Sequence, residues 1–283
     1  MRTQAALLFT LILTLGCRAQ HHPLPDPTAD ATHVSVNFII PDPPPSAQLS
    51  DWRDAPSRHT LTFSIDEVTL RGFHYDGASP KSSTILFFNG NGMTVIAADA
   101  LYRQIAALGP NVIAIDYPGY GFSTGAPDLP TYRTDALTLY DRLAATNPHL
   151  IVYGYSMGTA IATCIASQRP IAALILAAPI ASAEEEFPVY AHAARISTTN
   201  LAPSPAAHEI FGEAALITHS TAPLLILHGD ADRLVPIAQG REIFAASPSP
   251  NKRFVELPTA THNTTATDPA ALAAVTQLLQ SLR

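Results

Sequence analysis

Six short, nearly unbroken apolar runs constrain this chain more than any other feature: "TILFFNG", "NVIAIDYPG", "LIVYGYS", "IAALILAAP", "PLLILHGD" and "RFVELPTA". Runs of this length suit strands buried on both faces of a parallel sheet. Between them, residues 95–107, 129–146, 157–168 and 237–246 space their apolar side chains as helices do. A last helical stretch, 268–282, opens with "TDP", an acidic cap followed by proline at the first helical position. Strand and helix alternate, which predicts a doubly wound α/β fold: a mostly parallel sheet flanked by helices. Upstream, "HTLTFSI" and "VTLRGFHY" alternate along their length and predict an antiparallel hairpin. There is no internal repeat and no sign of a second domain.

The 283 residues are enough for one large domain or two small ones, and enough to bury a substantial core. Residues 1–19 read as an export signal. Arg2 precedes "AALLFTLILTLG", an apolar core too short to span a bilayer comfortably. It ends "LTLGCRAQ", and a Cys after Gly at that place resembles the lipobox of bacterial lipoproteins. The resemblance implies that Cys17 becomes the lipidated first residue, a membrane anchor at the cell envelope. Cleavage after Ala19, giving a secreted protein, is the alternative; both take the chain out of the cytoplasm. Residues 20–57 are proline-rich and read as a tether with one short strand in "VSVNFII". His21, His22 and His33 lie in it without a companion Cys or carboxylate set, so they read as linker rather than metal ligands. Residues 58–283 form the folded domain. A net charge of −7 with no basic run excludes general attraction to nucleic acid. Once the signal is processed, Cys17 and Cys164 leave no internal disulfide, and Cys164 is expected as a buried small hydrophobe on a helix.

The third run leads into "YGYSMG", which sets Ser156 between Gly154 and Gly158, with helical "MGTAIATCIASQ" following. In a parallel sheet, ligands bind beyond the carboxyl ends of the strands, which is where Ser156 falls. A glycine-rich turn would account for the glycines alone. Strand, sharp turn and helix together are the context of a G-x-S-x-G nucleophile elbow. A serine hydroxyl needs a base that is itself oriented by an acid. After the fifth run come Asp230 and Asp232, and after the sixth comes His262. The order Ser, acid, His suits this kind of fold. His228 ends a strand and reads as structural. His149 lies in a helix–strand connection, and His192, His208 and His219 in a segment expected to be irregular; these four read as surface residues.

Here the chain resembles the α/β-hydrolase superfamily, over roughly residues 60–283. "GDAD" resembles the family's G-x-x-D, which implies Asp232 as the acid and leaves Asp230 to bond the turn. "RLVP" after it matches as well. "TATH" replaces the usual glycine-rich turn before the histidine, and Asn263 follows as in the family. The superfamily's His-Gly loop after an early strand corresponds to "NGNG", with Asn89 in place of His. The resemblance implies an oxyanion hole made from the backbone N–H groups of Asn91 and Met157. "DYPGYGFSTG" resembles the run that lid-poor members carry after their fourth strand, with Tyr117 and Ser123 holding that loop. The segment of about forty residues before "PLLILHGD" contains "AEEEFPVY", which reads as a helix with acidic residues, and several prolines; it is short for a lid, so an open site with minimal or no lid is expected.

The function implied is that of a serine hydrolase cleaving carboxylic esters or thioesters through an acyl-enzyme. Ser156, His262 and Asp232 carry the chemistry, with no metal or organic cofactor. The partner is a small-molecule or lipid-like ester, and the chain is expected as a monomer. A serine peptidase acting on small peptides or amides is the alternative. A non-catalytic surface lipoprotein on the same scaffold fits less well, since such proteins usually lose a triad member and all three are present.

Tagged palmitate fed to a bacterial host is expected to label the wild type and not Cys17→Ser. A soluble mature protein beginning at Gln20 would instead mean simple secretion.

Overall fold

Each apolar run becomes a strand whose side chains alternate between two cores, one on either face of a single sheet. The computed structural model describes residues 34–36, 48–79, 83–193, 197 and 201–282. Cys17, the signal and His21, His22 and His33 lie outside the described residues. The tether shows a short strand, β1 (Val34–Val36), and a single 3-10 turn at Leu49–Asp51.

The main sheet has eight strands. They are β2 (Arg58–Ile65), β3 (Val68–Tyr75), β4 (Thr84–Phe88), β5 (Asn111–Ile115), β6 (Leu150–Tyr155), β7 (Ala173–Ala177), β9 (Leu224–Gly229) and β10 (Lys252–Leu257). Their spatial order is β10-β9-β7-β6-β4-β5-β3-β2. The hairpin β2–β3 is antiparallel and joins β5 antiparallel; all other pairs are parallel. Leu86, Val152, Leu174 and Ile226 face one core, with helices α2 (Leu129–Ala144), α3 (Met157–Gln168) and α7 (Ile237–Ala246) over them. Ile85, Ile151, Ile175 and Leu225 face the other, under α1 (Asp99–Ala106) and α8 (Pro269–Ser281). Each such side chain, fully buried, contributes about 1.5–3 kcal/mol. This is the doubly wound α/β arrangement expected from the run pattern.

Chain order reverses at β4: its successor β5 lies on one side and β6 on the other. A crevice therefore opens at the carboxyl ends of β4 and β6, between the loop holding Asn91 and the turn holding Ser156. Helix α1 starts later than its apolar spacing suggests. Residues 95–98 are turns, because the Val95 N–H donates to the Asp116 carboxylate at 2.8 Å instead of joining the helix.

Between β7 and β9 the chain forms α4 (Ala183–Ala193), β8 (Leu201–Pro203), α5 (Pro205–Ile210) and α6 (Glu213–Leu216). The helix expected at "AEEEFPVY" is α4, but the irregular setting expected for three histidines is corrected: His192 lies on α4, His208 on α5 and His219 in a 3-10 turn. His149 lies between α2 and β6, as expected. Cys164 is buried on α3, and Arg133 Nε approaches its sulfur at 3.2 Å. Among the described residues no helix is long and apolar enough to cross a membrane.

Glu213, fully buried at the start of α6, braces the first turn of α3. Its Oε1 lies 2.7 Å from Thr159 Oγ1, which is also 2.5 Å from the Ser156 carbonyl. Thr159 has one hydroxyl proton and can give it to only one of these oxygens. A protonated Glu213 resolves the conflict by donating to Thr159, which donates to the carbonyl. Burial supports that state, pushing the Glu213 carboxyl up from 4.5 to about 8.

The folded state then holds a proton that the unfolded state has lost above about 4.5. The stabilising effect of this group is complete below that pH and disappears as pH rises through about 8. Thermal melts between pH 5 and pH 8 are expected to show wild type losing stability faster than Glu213→Gln, by up to about 1.4 kcal/mol per pH unit. Equal slopes would mean that Glu213 is ionised in the folded protein.

Candidate active site

Ser156 joins β6 to α3 with φ 51° and ψ −124°, a left-handed conformation that side chains rarely adopt. The glycines on either side are required by contact. A Cβ at Gly154 would lie 2.5 Å from the Gly158 carbonyl oxygen, and one at Gly158 would lie 2.2 Å from that of Phe88. The start of α3 is thus pressed against the end of β4. The Ser156 N–H donates to the Ala177 carbonyl at 2.9 Å, tying the turn to β7. Met157 is the first residue of α3. Its amide has no acceptor within the helix, and the positive end of the helix dipole lies at the serine.

His262 and Asp232 come to Ser156 from two other loops. His262 Nε2 lies 3.0 Å from Ser156 Oγ, and His262 Nδ1 lies 2.8 Å from Asp232 Oδ2. The Asp232 side chain is wholly buried. Its Oδ1 accepts the N–H groups of Leu234 and Val235, both at 2.9 Å. The "RLVP" stretch therefore wraps around the carboxylate and aims its other oxygen at the imidazole. Asp230 does something else: its Oδ1 accepts the Thr259 N–H at 2.6 Å and holds the turn leading to His262. Gly229 lets the two loops meet, since a Cβ there would lie 2.1 Å from the Ala260 carbonyl oxygen.

The threonines of "TATH" have local tasks. Thr259 adopts φ 63°, the conformation a glycine would supply. Thr261 caps the 3-10 turn His262–Thr267 in a reciprocal pair with Thr264, so the histidine is the first residue of a capped turn. Tyr155 OH donates to the His262 carbonyl at 2.9 Å, fixing the loop from the strand before the serine. His228 is fully buried, and its Nε2–H donates to the Val235 carbonyl at 2.9 Å. Burial lowers the pKa of this imidazole and keeps it neutral, as a structural support of the acid loop.

Asn91 and Met157 line the same pocket as Ser156. Tyr120 OH donates to Asn91 Oδ1 at 2.9 Å, which anchors the loop after β4. Asn89, in the place of the resemblance's histidine, is buried. Its side-chain oxygen accepts from Tyr102 OH at 2.5 Å and its carbonyl from Tyr117 OH at 2.9 Å. Ser123 Oγ donates to the Asp116 carbonyl at 2.7 Å. Tyr117 and Ser123 thus hold the loop, as the sequence suggests. Gly121, with φ 45°, leaves room for the Asp116 carboxylate. Burial raises that carboxyl to about 6.

The pocket has a volume of about 600 Å³. Met93, Leu101, Ile180 and Leu234 give it apolar walls, and α4 supplies Glu186 and Tyr190. Sequence reasoning missed Glu186, which is only 4% exposed. Gln239 Nε2 donates to its Oε2 at 2.7 Å. Burial raises its carboxyl to about 8, against the Gln239 hydrogen bond and with a smaller contribution from the Asp232 charge. "AEEEF" presents three adjacent acids, and only the third is buried, against Gln239 of α7. Tyr155 and Glu213 were missed for the same reason: their partners lie 107 and 54 residues away.

Sheet order, elbow and the three convergent loops define the class of protein: an α/β-hydrolase fold with a hydroxyl–imidazole–carboxylate chain at its topological switch. Residues 79–209 and 205–269 match the family described as serine aminopeptidase, S33, and the chain belongs to that hydrolase family. It is 32% identical over 214 residues to protein bem46 of Schizosaccharomyces pombe, covering 71% of this chain and 69% of that protein. It is 30% identical over 261 residues to the lysophosphatidylserine lipase ABHD12 of Mus musculus, covering 79% and 65%. The chain spans between 49% and 65% of the ABHD12 relatives from macaque and mouse. Among solved structures, the Pyrococcus furiosus esterase Pf2001 superposes with a TM-score of 0.66 at 18% identity, covering 88% of this chain and 99% of the esterase. The Paleococcus ferrophilus monoacylglycerol lipase gives 0.59 at 20% identity, covering 74% and 98%; both share the fold. The chain is homologous to hydrolases of esterase and lipase type.

The two acids are separated by their partners. Asp232→Asn, which removes the acceptor of the His262 Nδ1–H, is expected to lower kcat by about 10⁴ with the fold intact. Asp230→Asn is expected to cost about 1–3 kcal/mol of stability and keep kcat within about tenfold. Turnover of one activated ester, with circular dichroism of both variants, checks this; the reverse result would reassign the acid.

Proposed function

We propose that this protein is a serine hydrolase that cleaves carboxylic esters, those of single acyl chains in particular, through an acyl-enzyme. The observation that carries the reading is the 3.0 Å and 2.8 Å chain from Ser156 through His262 to Asp232 at the mouth of a largely apolar pocket. Ser156 Oγ attacks the ester carbonyl carbon while His262 Nε2 takes its proton. Asp232 orients the imidazole and stabilises the imidazolium. The Met157 and Asn91 N–H groups hold the oxyanion as the carbon becomes tetrahedral. The carbon–oxygen bond to the alcohol breaks, and His262 returns the proton to the departing alkoxide. Water, deprotonated by His262, then attacks the acyl-enzyme and releases the acid and free Ser156.

Substrate class follows from pocket chemistry together with kinship. The apolar walls suit an acyl chain, and the buried Glu186 and half-buried Tyr190 offer polar groups to a head group. A lysophospholipid lipase among the sequence relatives and a monoacylglycerol lipase sharing the fold favour lipid-like esters. The family description and Glu186 support a second reading, aminopeptidase activity, in which the Glu186 carboxyl ionises on receiving a substrate ammonium. The reading also includes residues 58–283 as the catalytic domain, an export signal at 1–19 and a lipid anchor on Cys17, which rest on the "LTLGCRAQ" pattern.

Purified protein is expected to hydrolyse p-nitrophenyl esters and monoacylglycerols faster than aminoacyl amides. Ser156→Ala is expected to lose about 10⁶ in kcat and all labelling by a fluorophosphonate. Labelling of the Ser156→Ala variant at another serine would reject the assignment. Faster cleavage of aminoacyl amides, abolished by Glu186→Gln, would favour the second reading.

A further inference from the structure

A cluster of ligating side chains stands away from the active-site pocket, on the β2–β3 hairpin. His59 pairs directly opposite His74 in the antiparallel register, so both imidazoles project from the same face. Asp76 follows His74 by two residues, which returns its carboxylate to that face. His59 Nε2 lies 2.9 Å from Asp76 Oδ2, and His74 Nδ1 lies 3.5 Å from Asp76 Oδ1. One ligand atom from each residue falls within 4.8 Å of the other two. Ligands bound to a tetrahedral zinc at 2.0–2.2 Å stand about 3.4 Å from one another. The two imidazole–carboxylate separations, 2.9 and 3.5 Å, bracket that spacing.

The backbone beneath them is already held. The Asp76 N–H donates to the Ser57 carbonyl at 3.1 Å, and the Gly77 N–H to Asn111 Oδ1 at 2.9 Å. Gly77 is packed so closely that a Cβ would lie 2.3 Å from the Gly109 carbonyl oxygen. His59 and Asp76 are half-exposed, at 51% and 48%, which admits an ion and leaves room for water as a further ligand. A single ion pair with Asp76 would need only one imidazole; this carboxylate has one on each oxygen.

We propose that His59, His74 and Asp76 bind a divalent transition ion of the zinc class. Two imidazoles with one carboxylate suit zinc, nickel, cobalt or copper, whereas magnesium and calcium require mostly oxygen ligands. The position assigns the ion a structural task. Tyr75, beside Asp76, pairs with Val112 near the start of β5. The site is therefore at the amino-terminal end of the parallel strands, and Ser156 is at the carboxyl-terminal end of β6. The ion would clamp the edge strand β2 to β3 and take no part in ester cleavage.

Zinc titrated into untagged protein in a calorimeter tests this, alongside thermal melts of wild type, His59→Gln and Asp76→Asn. The wild type is expected to bind one zinc on this hairpin and melt about 5–10 °C higher at a hundredfold excess over Kd, with no rise from magnesium. Both variants, folded by circular dichroism, are expected to bind at least tenfold more weakly and to keep ester hydrolysis. Absence of zinc binding to the wild type would overturn the proposal. So would affinity unchanged in both variants, which would move the ion to other histidines. Should one variant fail to fold, the other decides. The readout is binding and melting, so it stands apart from the outcome of the ester assays.

Discussion

The contact between the first turn of α3 and the end of β4 is the constraint on which the rest of the site depends. Gly158 lies so close to the Phe88 carbonyl that no side chain fits between them. That closeness forces the reversal from β6 into α3 within a single residue, and Ser156 takes up the strain at φ 51°. A conformation of this kind costs on the order of 1–3 kcal/mol and persists only where its surroundings over-determine it. Here they do so from three sides: the Ala177 carbonyl receives the serine's N–H, Thr159 meets its carbonyl, and Glu213 backs Thr159. The hydroxyl is thereby held above the sheet with the helix amides beneath it.

The partners of the serine are placed by loops that brace one another. Asp230 holds the turn before His262, Ala260 approaches Gly229, and Tyr155 holds the His262 carbonyl from the elbow itself. The two loops carrying Asp232 and His262 are thus set relative to each other partly by bonds outside the pair. The Leu234 and Val235 N–H groups then aim the Asp232 carboxylate at the imidazole, so backbone and side-chain bonds together fix the arrangement. His228 serves the same purpose beneath the acid loop, kept neutral by burial and bonded to Val235.

The closed end and the open end of the sheet differ in chemistry. At the carboxyl ends of β4, β6, β9 and β10, loops bring polar groups together around an apolar pocket of about 600 Å³. At the amino-terminal ends, the hairpin β2–β3 leaves β2 as an edge strand, with one side unpaired among the described residues. Exposed edges invite pairing with other chains, and proteins commonly blunt them with charge. The cluster of His59, His74 and Asp76 lies on this hairpin.

The strands, the parallel arrangement and the candidate nucleophile were legible in the sequence because each rests on short-range pattern. Apolar runs of strand length suit a parallel sheet covered on both faces, as five of the six are here while the edge strand β10 is only partly buried, and a serine with glycines two residues to either side after such a run marks a sharp turn. Choosing Asp232 over Asp230 required the superfamily resemblance, since both follow the same strand; the structure shows the physical difference in which N–H groups each carboxylate accepts. The replacement of glycines by "TATH" also became intelligible only in three dimensions, where Thr259 takes a positive φ held by Asp230 and Thr261 caps the turn. Glu186, Glu213 and the His59–His74–Asp76 cluster depend on which elements pack or pair side by side, and residue type alone does not reveal it. Local order follows from steric rules acting within a few residues, so the sequence alone determined the sheet and the elbow. Burial and proton placement depend on neighbours brought from far along the chain, and only the tertiary structure decided those.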